Sequence, residues 1–417
     1  MEKGIVSQKK KRAEWVDAAK LAAILAVLLD HTHEILYQSH QLGFFSLYNV
    51  SIFILLMGVT TYWSYRKADE RRVAGQWAAG RQGAARGKGV EADVAGQSAT
   101  TVEAGQRDGT RSAGAVLREE TLRVLRKCLG IFLPYLLATT VYFLVLFDSY
   151  DFSIYWYYLW HFSLSAPFYY VFLYMQLVVV SPFLYAFVKR TESRKWLWIV
   201  GAAVILVISS LTTNHTNIAD IYGGGGKLFG GTYLFLLYLG MLFGAVHDGV
   251  VNRLAGSGRK AGSLLPVCVG FLVSLGFTLA WWQFFARNEG GIDAHLPFGP
   301  GFNPPSISLT LFACGMGLTV FFLGQVVDRI DRKALSGCFS ALAWLGKHTL
   351  YIFLWHRFFL DIVFPWFQGR GVVIGNPVLK WIVYFGVMIG GSLLIEQAVK
   401  LAKSIPRRLG SGLGKKS

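Results

Sequence analysis

The stretch Asp30-His31-Thr32-His33-Glu34 places two imidazoles and two carboxylates within five residues, directly after the apolar run AAKLAAILAVLL. An imidazole beside a carboxylate suits general-base chemistry near neutral pH, because the acid fixes the ring tautomer and raises its basicity. Lys20 and His31 are eleven positions apart. At about 100° per residue a helix returns them to nearly the same face, roughly 16 Å apart along its axis. Glu34 falls within about 60° of His31 if the helix continues, so its carboxylate is expected to accept the imidazole N–H. His33 points roughly opposite to His31, which argues against joint chelation from a regular helix, and no metal site is expected.

A second cluster lies in WLGKHTLYIFLWHRFFLDIV. His356 and Arg357 stand there at a depth close to that of His31, with Asp361 one turn further, and are expected to form a second wall of the same site. In RVLRKCLGIFLPYLL, Arg123 and Arg126 share a helix face at i and i+3. They form a cationic notch suited to the phosphates of a cytosolic ligand, or else anchor the helix at the inner interface.

These groups need elements to hold them, and the composition says what kind. The 417 residues are 53% hydrophobic and only 16% charged, far more apolar than an ordinary soluble domain. Spanning a bilayer takes about 20 apolar residues per helix. Spans are expected near 16–37, 44–64, 128–147, 167–188, 196–213, 230–247, 264–285, 306–326, 341–361 and 379–401. The expected fold is an all-α polytopic bundle of about ten transmembrane helices. Ionisable side chains inside such a bundle are costly and therefore become candidates for function.

The basic runs KKKR, KRTESRK, NRLAGSGRK, DRIDRK and the C-terminal PRR and KK alternate along the chain with loops that carry little beyond Lys227, Arg287 and Arg370. The positive-inside rule then puts both termini in the cytoplasm. The net charge of +17 is accordingly a topology signal. It is dispersed over loops rather than gathered on one face with aromatic platforms, which excludes nucleic acid as the expected partner and leaves the bilayer. No cleavable signal peptide is expected, because the first apolar run lacks a small-residue cleavage site.

The expected domain organisation is two helices in 1–65, a cytoplasmic insert in 66–118, the remaining eight helices of the same domain in 119–403 and a basic tail in 404–417. The insert is rich in Gly, Ala, Arg and Gln with few large apolar residues, so disorder is expected there. The run Gly223–Gly226 lacks the strand and GK[ST] of a phosphate loop and reads as a flexible outer connection. Cys128, Cys268, Cys314 and Cys338 show no CxxC spacing and are expected to be small buried residues.

The chain resembles the membrane acyltransferase family 3, polytopic O-acyltransferases that modify exopolysaccharides and other cell-surface glycans. The resemblance rests on WVDAAKLAAILAVLLDH, in which a basic residue precedes a His by eleven positions, and on NVSIFILLMGVTTYWSYRK, RVLRKCLGIFLPYLL, FYYVFLYMQLVVVSPFLY, YLFLLYLGMLFG and WLGKHTLYIFLWHRFF. These segments cover nearly the whole chain apart from the insert. Two positions differ from the family pattern. Lys20 stands where Arg is usual, and Pro167-Phe168 stands where relatives carry a His and an apolar residue.

The resemblance implies transfer of an acyl group, commonly acetyl, from a cytosolic acyl-CoA to a sugar hydroxyl at the plasma membrane. No permanently bound cofactor is implied, and polysaccharide-synthesis machinery is a candidate partner. On this reading His31 deprotonates the acceptor hydroxyl or carries the acyl group, oriented by Glu34 or Asp30. Lys20, Arg123 and Arg126 hold the CoA phosphates, while His356 and Arg357 contact the acceptor or stabilise the oxyanion. The competing class is a proton-coupled carrier, for which intramembrane His, Lys and carboxylates are equally apt. A carrier is expected to show inverted repeats with broken helices, and no such symmetry is visible.

Overall fold

A computed structural model describes residues 2–88, 113–148, 150–218, 226–255, 264–287, 303–330 and 332–413. Its helices are α1 (Glu2–His31), α2 (His40–Ser46), α3 (Asn49–Lys88), α4 (Ala113–Leu146), α5 (Phe152–His161), α6 (Tyr169–Arg190), α7 (Trp196–His215) and α8 (Tyr233–Ala255). They continue with α9 (Leu264–Arg287), α10 (Ile307–Arg329), α11 (Lys333–Gly346), α12 (Thr349–Phe358), a π-helical turn Phe359–Val363, α13 (Phe364–Gln368) and α14 (Pro377–Leu413). Among the described residues nine helices are long and apolar enough to cross a membrane. The chain is an all-helical polytopic membrane protein.

The first expected span lies outside those nine because Asp17, Lys20 and Asp30 interrupt its apolar run. It can carry such charges because protein takes the place of lipid around it: Ala19, Ala23, Ile24 and Leu28 have no exposed surface. The apolar windows of α3 and α10 are 67% and 61% buried, whereas those of α9 and α14 are each 17% buried. The charged α1 thus packs with α3 and α10 at the centre while α9 and α14 turn most of their apolar windows outward, as expected when only protein neighbours can satisfy a charge.

The centre is held by small residues. Gly58 of α3 lies against the backbone of Leu237 and Gly240 of α8, and Gly240 in turn lies against the carbonyl of Leu55, so a Cβ at either position would collide with backbone. Close backbone approach through small residues is the usual means of fastening helices where burial of apolar surface provides no preference over lipid.

Three expectations are corrected by the fold. The first span was expected over 16–37, but α1 stops at His31. The ninth was expected as one helix over 341–361, but it is broken between α11 and α12, and the membrane-length segment is Thr349–Gln368. The break follows from Gly346, which presses on the carbonyl of Asp17 where no side chain would fit, while Lys347 and His348 turn back onto Trp344 and Leu345. None of the cysteines is fully buried, Cys128, Cys268 and Cys314 being half-buried and Cys338 exposed, and all four are free thiols.

Residues 66–88 and 113–118, expected to be disordered, are helical extensions of α3 and α4. Their Ala, Arg, Gln and Glu are good helix formers even where they cannot build a core. The α3 extension is also docked by charge. Arg66 pairs with Asp248 of α8 at 3.3 Å, Arg72 with Glu120 of α4 at 3.6 Å, and Asp69 with Lys189 of α6. The middle of the insert, residues 89–112, lies outside the described residues, as do 219–225, most of the glycine run among them. The expected tail begins inside α14, which continues to Leu413.

Candidate active site

His31 is the last residue of α1, and side chains that follow it bond its last carbonyls. Thr32 Oγ1 donates to Leu28 O at 2.8 Å and to Leu29 O at 3.0 Å, and Tyr37 Oη donates to Leu29 O at 2.9 Å. The chain then turns through Glu34, whose φ is +68°. Glu34 is exposed in this turn and has left the helical face that the expected hydrogen bond to His31 required. That expectation is overturned by the early helix end.

Asp30 does a different task from orienting His31. One carboxylate oxygen accepts from Asn49 Nδ2 at 3.4 Å, and the other lies 3.4 Å from Ser46 Oγ, whose hydroxyl donates to Gly43 O at 2.6 Å. Asp30 therefore binds the end of α1 to the α2–α3 corner.

The partner of His31 is His356. The two rings lie 5.1 Å apart between centroids, 29° from parallel. His356 is completely buried on α12. Its Nδ1 lies 2.8 Å from Phe353 O and 3.1 Å from Ile352 O. Carbonyls only accept, so Nδ1 carries the hydrogen and Nε2 of the neutral ring is a bare base. That Nε2 has no hydrogen-bond partner. Arg357, next in sequence, pairs through Nε with Asp361 at 2.8 Å. The π-helical turn Phe359–Val363 follows immediately, and such turns recur at functional sites because they re-aim one residue of a helix.

The second component is a cavity of about 490 Å³ inside the bundle, bounded by α1, α3, α4, α6 and the α11–α12 junction. Its wall on α3 runs from Phe53 through Met57, Thr60 and Thr61 to Ser64, a length of roughly 16 Å at the helical rise. One end carries Lys20, Lys127 and Lys347, and the other carries Phe53, Tyr170 and Phe353. The aromatic end adjoins the histidines, since Phe353 and His356 have ring centroids 6.2 Å apart. Lys20 is also paired with Asp17 at 2.8 Å.

The cationic notch is rearranged relative to expectation. Arg123 is held by Glu120 at 3.1 Å and Glu119 at 3.5 Å, with its guanidinium 4.9 Å over the Tyr65 ring, and Arg126 is exposed. Neither lines the cavity, and Lys127 does. The helical stripe Ile131, Tyr135, Ala138 and Tyr142 is buried, and continued backwards by four residues it arrives at Lys127. Lys347 was also missed, because it belongs to a junction that the hydropathy of 341–361 conceals. Behind it, His348 Nδ1 and Lys400 Nζ share the buried carboxylate of Glu396 at 2.7 Å each, which fastens the start of α12 to α14.

The helical membrane bundle thus holds an imidazole pair next to, but not lining, a cavity whose walls carry three lysines. The family model described as an acyltransferase domain matches residues 13–397. The chain belongs to this family, the membrane acyltransferase family 3. Comparison with curated proteins found no match, and comparison with solved structures found none.

Proposed function

We propose that this membrane acyltransferase is an O-acyltransferase that moves a short acyl group, acetyl in the simplest case, from acyl-CoA to a hydroxyl of a cell-surface or exopolysaccharide sugar. The observation that carries the reading is the polarity of the cavity. Its three lysines stand at the end remote from the histidines, and its apolar end adjoins the His31–His356 pair. A donor with a phosphorylated head, a flexible arm and a reactive tip matches that order of groups.

In the reaction His31 takes the proton of the acceptor hydroxyl as its oxygen adds to the thioester carbonyl. The new C–O bond forms, the C–S bond breaks, and the proton leaves with the CoA thiolate as a thiol. The bare Nε2 of His356 gives His31 a neighbour able to share that proton, and Arg357 supplies positive charge one residue away. General-base catalysis of this kind contributes about two to four orders of magnitude. Lys20, Lys127 and Lys347 hold the phosphates at the cytoplasmic face of the plasma membrane, a reading of sidedness that the distribution of Lys and Arg in the loops supports.

The test is release of free CoA from acetyl-CoA by purified protein in proteoliposomes supplied with candidate glycans, for wild type beside His31→Ala of equal insertion. Turnover in wild type and its loss in the variant are expected. Absence of turnover in both, with proton-coupled movement of solute, establishes the carrier instead.

A further inference from the structure

Three aromatic rings from three different helices meet between the lysine-bearing cavity and the histidine pair. Phe53 of α3, Tyr170 of α6 and Phe353 of α12 are each within ring contact of the other two, with centroid separations of 6.1 Å for Phe53–Tyr170, 6.3 Å for Phe53–Phe353 and 4.9 Å for Tyr170–Phe353. All three line the cavity. His356 lies on the far side of Phe353, and neither it nor His31 lines the cavity. His31 nonetheless keeps part of its surface open while His356 has none, so the exposed part of the pair is on His31 and outside the cavity lining.

We infer that Phe53, Tyr170 and Phe353 form a gate that separates the donor cavity from the histidines and sets which acyl groups reach them. The inference rests on the acyltransferase reading and deepens it. The contact between these rings is made by side chains alone, and a rotamer change of one ring is the smallest motion that would part them. A two-carbon acyl group needs one such rotation, whereas a long chain would have to hold the rings apart for its whole length. The gate therefore favours short acyl groups by size. It also keeps the cavity and the histidine side from being continuous when no acyl group is passing, which suits an enzyme whose two substrates approach from opposite ends.

The choice of rings follows from their placement. Phe53 is only half-buried and carries no polar atom, while Phe353 is 3% exposed and Tyr170 is 8% exposed. Met57 lies one turn from Phe53 on the same cavity wall, so the gate opens onto a flexible side chain rather than onto charge.

The experiment compares CoA release from acetyl-, butyryl- and octanoyl-CoA by wild type, Phe353→Ala, Phe53→Leu and Phe53→Trp in proteoliposomes, with the octanoyl-to-acetyl ratio as readout. The ratio is independent of the fraction of protein that folds, and Phe53→Leu, at a half-buried position, covers the case in which Phe353→Ala does not fold. Phe353→Ala and Phe53→Leu are expected to raise the ratio about tenfold, the scale on which a pocket discriminates by size, and Phe53→Trp to lower the butyryl-to-acetyl ratio. Acetyl-CoA consumption with unchanged ratios in every variant overturns the gate and leaves the acyltransferase reading standing. Failure of wild type to consume any acyl-CoA overturns that reading, and the gate with it.

Discussion

His31 and His356 face one another across the junction of α1 and α12 with ring centroids 5.1 Å apart. The His356 ring is locked by two backbone carbonyls so that its unprotonated nitrogen is the one left without a partner.

Replacing His31 by Ala is expected to lower kcat by about two to four orders of magnitude. His356→Leu, which keeps volume and removes both nitrogens, is expected to lower kcat less and to change the shape of the pH–rate profile. Because the neutral form of the pair accepts the proton, kcat/KM rises as pH increases through its apparent constant. A profile identical to wild type in His356→Leu means that His356 only packs against its neighbour.

The lysine end is tested through donor affinity. Lys127→Gln and Lys347→Gln are each expected to raise KM for acyl-CoA about tenfold or more with little change in kcat, the scale of a hydrogen bond to a charged group. Arg126→Gln, at an exposed position outside the cavity, is expected to leave KM within about twofold. Steady-state kinetics across a donor concentration series decides between them.

The two carboxylates of the DHTHE stretch are expected to behave differently. Glu34→Gln, in an exposed turn, leaves activity within about twofold of wild type, since surface polar changes of this kind carry little energy. Asp30→Ala removes the acceptor of Asn49 Nδ2 and is expected to lower both activity and thermal stability, because a buried donor loses its partner. Paired activity and melting measurements on the two variants check this.

Gly240→Val is expected to reduce the melting temperature sharply, since any side chain there meets the backbone of α3. Gly249→Ala on the same helix, where a Cβ meets nothing within 4 Å, is expected to be neutral or stabilising. Fluorescence-detected melting in detergent distinguishes the two.

Much of the bundle is legible from hydropathy, and the site is legible only in part, for a reason specific to membranes. In water, the apolar stripe of a helix marks the buried face. In lipid both faces are apolar, so Leu129, Leu133 and Leu137 of α4 read like Ile131, Tyr135 and Ala138 although the first set is exposed and the second buried. The rotation of α4 decides whether Arg126 or Lys127 enters the cavity, and only tertiary packing sets it. His31 and His356 were legible because an ionisable group at that depth stands out against its surroundings. Glu34 was misplaced because a helix end made by Thr32 and Tyr37 leaves no trace in hydropathy. Lys347 was hidden by a break whose cause, a glycine against the Asp17 carbonyl, depends on a helix far away in sequence.

The charged extension of α3 links α4, α6 and α8 through Arg72–Glu120, Asp69–Lys189 and Arg66–Asp248, at the same end of the bundle as the cavity lysines. Ionic strength therefore acts on this entrance in two ways. On the proposed reading added salt screens the lysines from an anionic donor, and it weakens the exposed ion pairs by which α3 holds its three neighbours, the Debye length being about 8 Å at physiological ionic strength. On that reading, binding of the donor and the packing of these helices answer to one environmental variable, and both are strongest where the surrounding solution is dilute.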